Sequence, residues 1–243
     1  MITGIIVALA QELTTLKTVP DALWEPSLAR GKFVFLTETI LLIHAGAGAE
    51  NACRAAEKLI SKGATQLMSW GCAAALSPEL KMGDLVLAES VCHTDGRQLS
   101  VNAQWHEHVK NCLGRRVTIG KGALLQSAHV VSRKEEKQLL YQNTGAIALD
   151  MESFSIAQVA QHYAIPFLAL RSISDPASMD LPEVVMRSLT VEGDVDITKM
   201  MFSVVRQPKE IPHLIQLGQY FQVAKRTLSD VAKELPSMMA FHS

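Results

Sequence analysis

The chain has 243 residues, of which 48% are hydrophobic and 19% are charged, a composition that suits one soluble globular domain with a sizeable core. Its formal net charge of -1 lacks the basic surplus with which proteins neutralise many phosphates, so no nucleic-acid partner is expected. We find no signal-peptide pattern, no apolar run of the roughly eighteen residues that span a bilayer, and no closely spaced cysteines. These features predict a reducing, cytoplasmic location.

Apolar runs rich in Ile, Val and Leu alternate with longer stretches of helical spacing along the chain. The predicted strands are, in chain order, Ile2–Leu9, Lys32–Leu36, Thr39–His44, Gln66–Trp70, Asp84–Val91, Gly120–Leu125, Ile147–Met151 and Phe167–Ile173. The predicted helices are Ala49–Ser61, Val101–Leu113, Arg133–Asn143, Ser153–Tyr163, Ile197–Arg206 and Pro212–Glu234. Strands that are apolar on both faces indicate a sheet covered by helices on each side. We therefore predict one α/β domain over residues 1–243, in three layers around a mixed, largely parallel central sheet.

The segment 178–243 differs from the rest because it is helical rather than alternating, and we predict that it forms a helical C-terminal extension. Six of the ten methionines lie beyond position 175. The apolar residues concerned are Met179, Met186, Met200, Met201, Met238, Met239, Phe202, Phe221 and Phe241. They either pack the helices onto the sheet or line a groove for a bulky apolar group, a surface for which the flexible methionine side chain is suited.

A glycine-rich turn, Ala45-Gly46-Ala47-Gly48-Ala49, closes one predicted strand and opens a predicted helix. Such a turn either binds an oxygen-rich ligand through free N–H groups or is a tight strand-to-helix turn that binds no ligand. A dinucleotide-binding or S-adenosylmethionine-binding turn would have a third glycine at position 51 and an acid about twenty residues later. The chain has Asn51 and then Ser69-Trp70-Gly71, which disfavours that class.

Three acids follow predicted strands: Glu12, Glu152 and Asp175. Each alone has an ordinary explanation, either as an acid in the first turn of a helix or as a turn residue before proline. Ligands of α/β folds bind at the carboxyl ends of strands, and all three acids are predicted at that edge. Together they favour a functional site at this edge of the sheet.

Six segments occur in an order and spacing that resemble the methylthioadenosine/S-adenosylhomocysteine nucleosidases and their phosphorylase relatives. They are the opening segment through Glu12, the turn around Gly46 and Gly48, Trp70-Gly71-Cys72-Ala73-Ala74-Ala75, Met82-Gly83-Asp84-Leu85-Val86, Asp150-Met151-Glu152-Ser153, and Arg171-Ser172-Ile173-Ser174-Asp175. The resemblance covers positions 1 to about 178. It implies cleavage of the bond between ribose and a purine, with neither metal nor organic cofactor, by a homodimer or larger homo-oligomer.

The resemblance also implies roles for individual residues. Asp175, with Ser174 beside it, would protonate N7 of the purine; Glu152 would hold the ribose hydroxyls. Met151 would pack against the sugar, and Glu12 would orient or deprotonate the attacking water. The chemistry needs this arrangement because the departing base must be neutralised while a nucleophile waits on the opposite face of an oxocarbenium-like sugar.

The other substrate-binding residues that the resemblance implies are Gly46, Gly48, Cys72, Ala73 and Val130. The sequence departs from the family at two of these places. Cys72-Ala73-Ala74-Ala75 replaces the more usual Ser-Ala-Gly-Gly type, and the aromatic residue that stacks on the purine is missing near Val130. Either His129, Val130 and Val131 line the base site instead, or His129 is an ordinary surface or core histidine.

The phosphorylase relatives carry an Arg and a Ser where this chain has Ser69 and Cys72. Neither residue supplies the cationic fork that a phosphate site favours. Glu12 would also repel a phosphate dianion, so the sequence favours water as the nucleophile. A phosphate-dependent phosphorylase and a nucleoside-binding module without catalysis remain the alternatives, and the acid at Glu12 disfavours the second.

A closer resemblance, to the hopanoid-associated phosphorylase group, extends over nearly the whole chain. It rests on Asp150-Met151-Glu152-Ser153, Leu168-Ala169-Leu170-Arg171, Ser174-Asp175-Pro176-Ala177, Leu181-Pro182, Gly193-Asp194-Val195-Asp196, Val204-Val205-Arg206-Gln207-Pro208 and Ile211-Pro212. This resemblance implies release of adenine from adenosylhopane during hopanoid biosynthesis. It also implies an apolar 5′ substituent, which would permit peripheral association with a membrane. A generic methylthioadenosine/S-adenosylhomocysteine nucleosidase is the alternative for the substrate.

Overall fold

The computed structural model describes residues 1–24, 28–114, 117–183, 185 and 211–240. Its strands are β1 (Thr3–Val7), β2 (Phe33–Thr37), β3 (Ile40–His44), β4 (Gln66–Ala75), β5 (Leu85–Leu87), β6 (Ser90–His93), β7 (Gln98–Ser100), β8 (Ile119–Gly120), β9 (Ala123–Gln126), β10 (Ala148–Asp150) and β11 (Phe167–Asp175). Its helices are α1 (Ala10–Leu13), α2 (Ala49–Ser61), α3 (Ala103–Leu113), α4 (Lys134–Thr144), α5 (Ser153–His162), α6 (Ile211–Ala232) and α7 (Leu235–Met239), with a 3₁₀ helix at Thr14–Thr18.

The described strands form one eleven-stranded sheet in which β4 is the branch point. The first half of β4 pairs in parallel with β1 on one side, while β11 runs parallel to it along nearly its whole length on the other. At its far end, Ala74 and Ala75 pair with the antiparallel strand β10. Six of the ten strand pairs between described residues are parallel. The prediction of a mixed, largely parallel sheet in an α/β fold is confirmed.

The strand predicted at Asp84–Val91 is wrong as a single element, because the chain changes partners in the middle of it. Residues of β5 pair with β11 and β8, whereas residues of β6 pair with β9 and β7. Between them, the Ala88 N–H donates to the Ala169 carbonyl and the Glu89 N–H to the Gly122 carbonyl. One continuous segment of the chain therefore serves two parts of the sheet. The predicted strand Gly120–Leu125 likewise divides into β8 and β9.

The core lies on both faces of the central strands, and every residue of β1 and β3 is buried. Helices α2 and α5 pack against each other, and α6 packs on β11 and the 3₁₀ helix. This covering on two faces explains why β1, β3 and β11 read as nearly continuous apolar runs rather than alternating ones.

The C-terminal helices complete the core. Met238 and Met239 on α7 are buried, and the indole N–H of Trp105 on α3 donates to the Met238 carbonyl at 3.0 Å. Met179 and Phe221 are half-buried. Met186, Met200, Met201, Phe202 and Phe241, together with the predicted helix Ile197–Arg206, lie outside the described residues. Over the ranges that the structure describes, no helix combines the length and apolarity needed to cross a bilayer.

Candidate active site

The long strand β4 brings the predicted acids together. Because β4 continues past the end of β1, the antiparallel strand β10 can return along it and deliver Asp150 and Glu152 beside the residues that follow β1. Glu12 lies in the first turn of α1 and is only 3% exposed. Its two carboxylate oxygens accept the N–H groups of Cys72, at 2.7 Å, and Leu9, at 3.0 Å. Burial raises the pKa of Glu12, although the charge of Arg171 opposes the rise.

Arg171 on β11 stands at the centre of these acids and is 2% exposed. Its Nε and Nη2 lie 2.8 and 2.7 Å from Asp150 Oδ2, and Nη2 is 3.8 Å from Glu152 Oε2. Nη2 also lies within hydrogen-bond distance of two hydroxyls, those of Ser69 at 2.7 Å and Ser153 at 3.1 Å. Burial alone would lower the pKa of Arg171, but the surrounding carboxylates raise it. The guanidinium is therefore a fixed cation whose Nε and Nη2 donors are already engaged.

Gly71 on β4 makes this close assembly sterically feasible. A Cβ atom at that position would lie 2.6 Å from Glu12 Oε1 and 2.7 Å from Arg171 Nη1. The missing side chain lets the carboxylate and the guanidinium approach the strand from the same side.

The glycine-rich turn binds Glu152. The Gly48 N–H donates to Glu152 Oε1 at 2.8 Å, and Gly48 has φ 96° and ψ 160°, a conformation in which glycine alone is comfortable. Burial, and next the charge of Asp150, raise the pKa of Glu152 to about 7. One function of the turn is thus to hold a carboxylate of the protein itself.

Asp175 ends β11 at the other side of the site and is 5% exposed. Its Oδ2 accepts a hydrogen bond from Lys137 Nζ on α4 at 2.8 Å. Its Oδ1 is buried and has no hydrogen-bond partner among the described residues. Burial raises the pKa of Asp175, and the nearby Lys137 ammonium limits the rise. The structure therefore presents one free oxygen of a carboxyl group that protonates more readily than usual.

Cys72 connects the two sides. Its N–H donates to Glu12, while its thiol lies near the Ser174 side chain, next to Asp175. Burial, and then the charge of Glu12, raise the pKa of the Cys72 thiol well above its ordinary value. The residue is therefore a neutral thiol in the site rather than a thiolate nucleophile.

The remaining predicted residues differ in their surroundings. Met151 and Val130 are half-buried, and Ala73 is buried within β4. Gly46 has φ 87°, and a Cβ there would lie 2.9 Å from the Arg30 side chain.

His129 points outward instead. Its side chain is 71% exposed, and Nε2 lies 3.3 Å from Glu136 Oε1. Of the two interpretations that the sequence left open, the structure supports a surface histidine. Within the described residues, no group of three or more His, Cys, Asp and Glu side chains could hold a metal ion.

Sequence reasoning missed three charged residues of the site: Asp150, Arg171 and Lys137. An arginine inside the apolar run Leu168–Ile173 was a usable signal, since a charge there must be buried and paired. Lys137 gave none, because it lies in the polar stretch Lys134-Glu135-Glu136-Lys137-Gln138, where a lysine is expected to face solvent.

The buried acids lie at the carboxyl ends of strands in an α/β sheet, which is the edge where proteins of this class bind their ligands. Comparison with known families identifies the family. The profile described as Phosphorylase superfamily matches residues 3–192, and the chain belongs to that family.

Individual relatives agree with this family assignment. The chain is 25% identical over 197 residues to a 5′-methylthioadenosine/S-adenosylhomocysteine nucleosidase of Staphylococcus aureus (strain JH9), covering 72% of this chain and 86% of that protein. The crystal structure of the Helicobacter pylori nucleosidase of the same name, with butyl-thio-DADMe-Immucillin-A, has a TM-score of 0.72 at 20% identity, covering 97% and 96% of the two chains. Futalosine hydrolase of Helicobacter pylori has a TM-score of 0.71 at 19% identity, covering 97% and 96%. The two structures show the shared fold.

These relatives confirm the resemblance to nucleosidases of the phosphorylase superfamily, and the chain is an enzyme of the N-glycosyl hydrolase or nucleoside phosphorylase type. The narrower resemblance to the hopanoid-associated group stays a prediction.

Proposed function

We propose that this protein hydrolyses the N-glycosidic bond of a 5′-substituted adenosine and releases adenine. The proposal rests on two buried acids that lie on opposite sides of the site, at the carboxyl ends of the strands. Glu12 lies in the Arg171 cluster on one side, and Asp175 presents an unpartnered oxygen on the other.

Asp175 acts as the general acid. Its raised pKa favours a protonated carboxyl group, and Oδ1 is free to meet N7 of the purine. As the bond between C1′ and N9 breaks, its electron pair moves to the base, and the proton from Asp175 neutralises the base. Glu152, held by Gly48, binds the ribose hydroxyls with Met151 against the sugar. Its interaction strengthens as the ring becomes cationic.

Water fits the nucleophile position better than phosphate does. Three carboxyl groups surround one cation there: Glu12, Asp150 and Glu152 around Arg171. Their combined charge repels a dianion, and Nε and Nη2 of Arg171 are occupied by Asp150 and two serine hydroxyls. A water oxygen instead forms the new bond to C1′ while Glu12 takes its proton, and the product is the free 5′-substituted ribose.

For the 5′ substituent we favour an apolar group, and adenosylhopane in particular. The resemblance of the tail to the hopanoid-associated group supports this choice. Helix α6, which packs on β11, also carries the exposed side chains of Ile211, Ile215 and Val223. Such a surface suits an apolar ligand or contact with a membrane. Met238 and Met239 do not contribute to it, because they are buried in the core.

The test offers purified protein adenosine, methylthioadenosine and adenosylhopane, with and without phosphate, and follows free adenine. We expect release without phosphate, a free ribose product and the highest specificity constant for adenosylhopane. Strict dependence on phosphate with a ribose-1-phosphate product would make the protein a phosphorylase. A clear preference for methylthioadenosine would make it a generic methylthioadenosine/S-adenosylhomocysteine nucleosidase.

We further propose a homodimer or larger homo-oligomer, as the family resemblance implies. Light scattering at micromolar concentration measures this directly, and a monomeric mass would contradict the proposal.

A further inference from the structure

Lys137 is completely buried, which is unusual for a lysine on a helix as polar as α4. Its Nζ donates to Asp175 Oδ2 at 2.8 Å, to the Met179 carbonyl at 2.8 Å and to the Pro176 carbonyl at 3.1 Å. An ammonium group has three N–H donors, and all three are used. The side chain is therefore fixed in one position.

This contact makes the two oxygens of Asp175 unequal. Oδ2 is held by Lys137, and Oδ1 is buried without a partner in the described part of the chain. A carboxyl group fixed by one oxygen keeps the other at a constant position, which is the pre-organisation that a proton donor requires.

The charged surroundings of Asp175 are simple. Helix α4 contributes Lys137, and the loop after β11 contributes Asp180, whose charge raises the pKa of Asp175 slightly against the lowering by Lys137. Strand β4 places the uncharged Ala74 beside Asp175. Asp180 itself is directed to the start of α4, where Oδ1 accepts the Lys134 N–H at 2.8 Å. Lys137 is thus the cation in direct contact with the acid.

We propose that Lys137 is the positioning residue for acid catalysis: it orients Asp175 towards the departing base and stabilises the carboxylate that remains after proton transfer. The inference rests on the function proposed above. In the step, the O–H bond of Asp175 breaks and an N7–H bond forms on the base. The negative charge left on Asp175 faces the Lys137 ammonium, which keeps its own protons.

A purely structural role would also explain the burial, since Lys137 ties the loop from Pro176 to Met179 onto α4. The two roles differ in what they do to pH dependence. An opposite charge in contact with a carboxyl group lowers its pKa by about 1–3 units. Loss of the charge must therefore move the titration of Asp175, whereas loss of a loop tie need not.

The experiment measures kcat and KM against pH for Lys137→Met, for Lys137→Gln and for the control Lys134→Met, an exposed lysine on the same helix. For both Lys137 variants we expect kcat to fall more than KM changes. We also expect the alkaline limb of the kcat profile to move up by about one unit or more, because Asp175 then keeps its proton to higher pH. Gln can still donate hydrogen bonds without carrying charge, so it preserves the loop tie if Met prevents folding. The control variant Lys134→Met should match the wild type in kcat, KM and pH profile.

An alkaline limb that does not move in a folded Lys137 variant would overturn the proposal.

A second measurement does not depend on turnover. Protein labelled at the aspartate carboxyl carbon gives the titration of Asp175 by NMR, assigned with Asp175→Asn. We expect the Asp175 midpoint to be higher in Lys137→Gln than in the wild type, and equal midpoints would refute the inference. If the wild type releases no base from any nucleoside, the proposed function fails while this titration still tests the effect of Lys137 on Asp175.

Discussion

At the scale of single residues, burial gives the carboxyl groups of the site their chemistry, and specific partners then separate their roles. Glu12 accepts two backbone N–H groups, Glu152 accepts one from Gly48, and Asp175 is held by Lys137. Burial raises the pKa of all three. Environments that differ in this way suit the roles proposed for these side chains as base, sugar ligand and acid.

The acid assignment predicts the behaviour of Asp175→Asn. The amide keeps the shape of the side chain but cannot deliver a proton, so kcat for base release should fall by about 10²–10⁴-fold. The matched control is Asp180→Asn, which changes a nearby carboxylate and retains a side chain that can cap α4. Steady-state kinetics decide the matter, and near-normal turnover by a folded Asp175→Asn protein would remove Asp175 from the mechanism.

Glu152→Gln should change the pH dependence of stability. The pKa of Glu152 is raised from 4.5 to about 7 on folding, so its favourable contribution is complete below the unfolded value and is lost as pH rises through 7. Gln does not titrate. The Tm of the variant minus that of the wild type should therefore rise between about pH 5 and about pH 8.

Glu107→Gln provides the control. A hydrogen bond from Lys110 lowers the pKa of this exposed acid below 4.5, so it is already ionised across that range. Its Tm difference from the wild type should stay constant, and a constant difference for Glu152→Gln as well would contradict the raised pKa.

The sequence predicted the three acids as site residues but did not identify their charged partners. Glu12, Glu152 and Asp175 follow strands, and the family motifs name them. Their contacts with Arg171 and Lys137 depend on how β10, β11 and α4 meet in space. A pattern along one chain carries no information about which distant residue neutralises a buried charge.

At the scale of elements, apolar periodicity located the long helices and the central strands, because burial of those segments determines their residue types. It missed the partner change at Ala88 and Glu89, since the strand residues on both sides of it are mostly buried. It also missed α1 and the 3₁₀ helix, which are too short to show a period. The strand β4 is longer than predicted because it pairs with β11 and β10 beyond the end of β1.

The glycine-rich turn gives a prediction at this scale. Gly48→Ala meets no atom within 4 Å, but its backbone conformation disfavours a side chain, so the free energy of unfolding should fall by about 1–3 kcal/mol. The KM for the nucleoside should also rise, because the Gly48 N–H positions Glu152.

Gly145→Ala is the comparison for this change. Gly145 ends α4 in the left-handed region with open space around it, so Ala there should cost about 1–2 kcal/mol and leave KM unchanged. Chemical denaturation and steady-state kinetics on both variants separate strain from function. An unchanged KM in Gly48→Ala would show that the turn does not support substrate binding.

At the scale of the whole molecule, the described C-terminal helices α6 and α7 pack against the rest of the domain. Met238→Ala should lower the free energy of unfolding by about 2–5 kcal/mol, because Met238 is fully buried beside Trp105. Met238→Leu nearly conserves volume and should cost less than about 1.5 kcal/mol. Denaturation followed by tryptophan fluorescence measures both, and equal small losses would show that α7 packs loosely.

The branch at β4 has a consequence for the order in which a newly synthesised chain acquires activity. Strands β1, β3 and β4 with α2 can associate once the chain has grown past Ala75, and their pairing is parallel and contiguous. The partner that runs along nearly the whole of β4 begins at Phe167 and carries both Arg171 and Asp175. Until β11 docks, Glu12 and Asp150 lack Arg171, and the sheet lacks the proposed proton donor. A nascent chain halted before Phe167 would therefore contain much of the framework but not the residue proposed for acid catalysis.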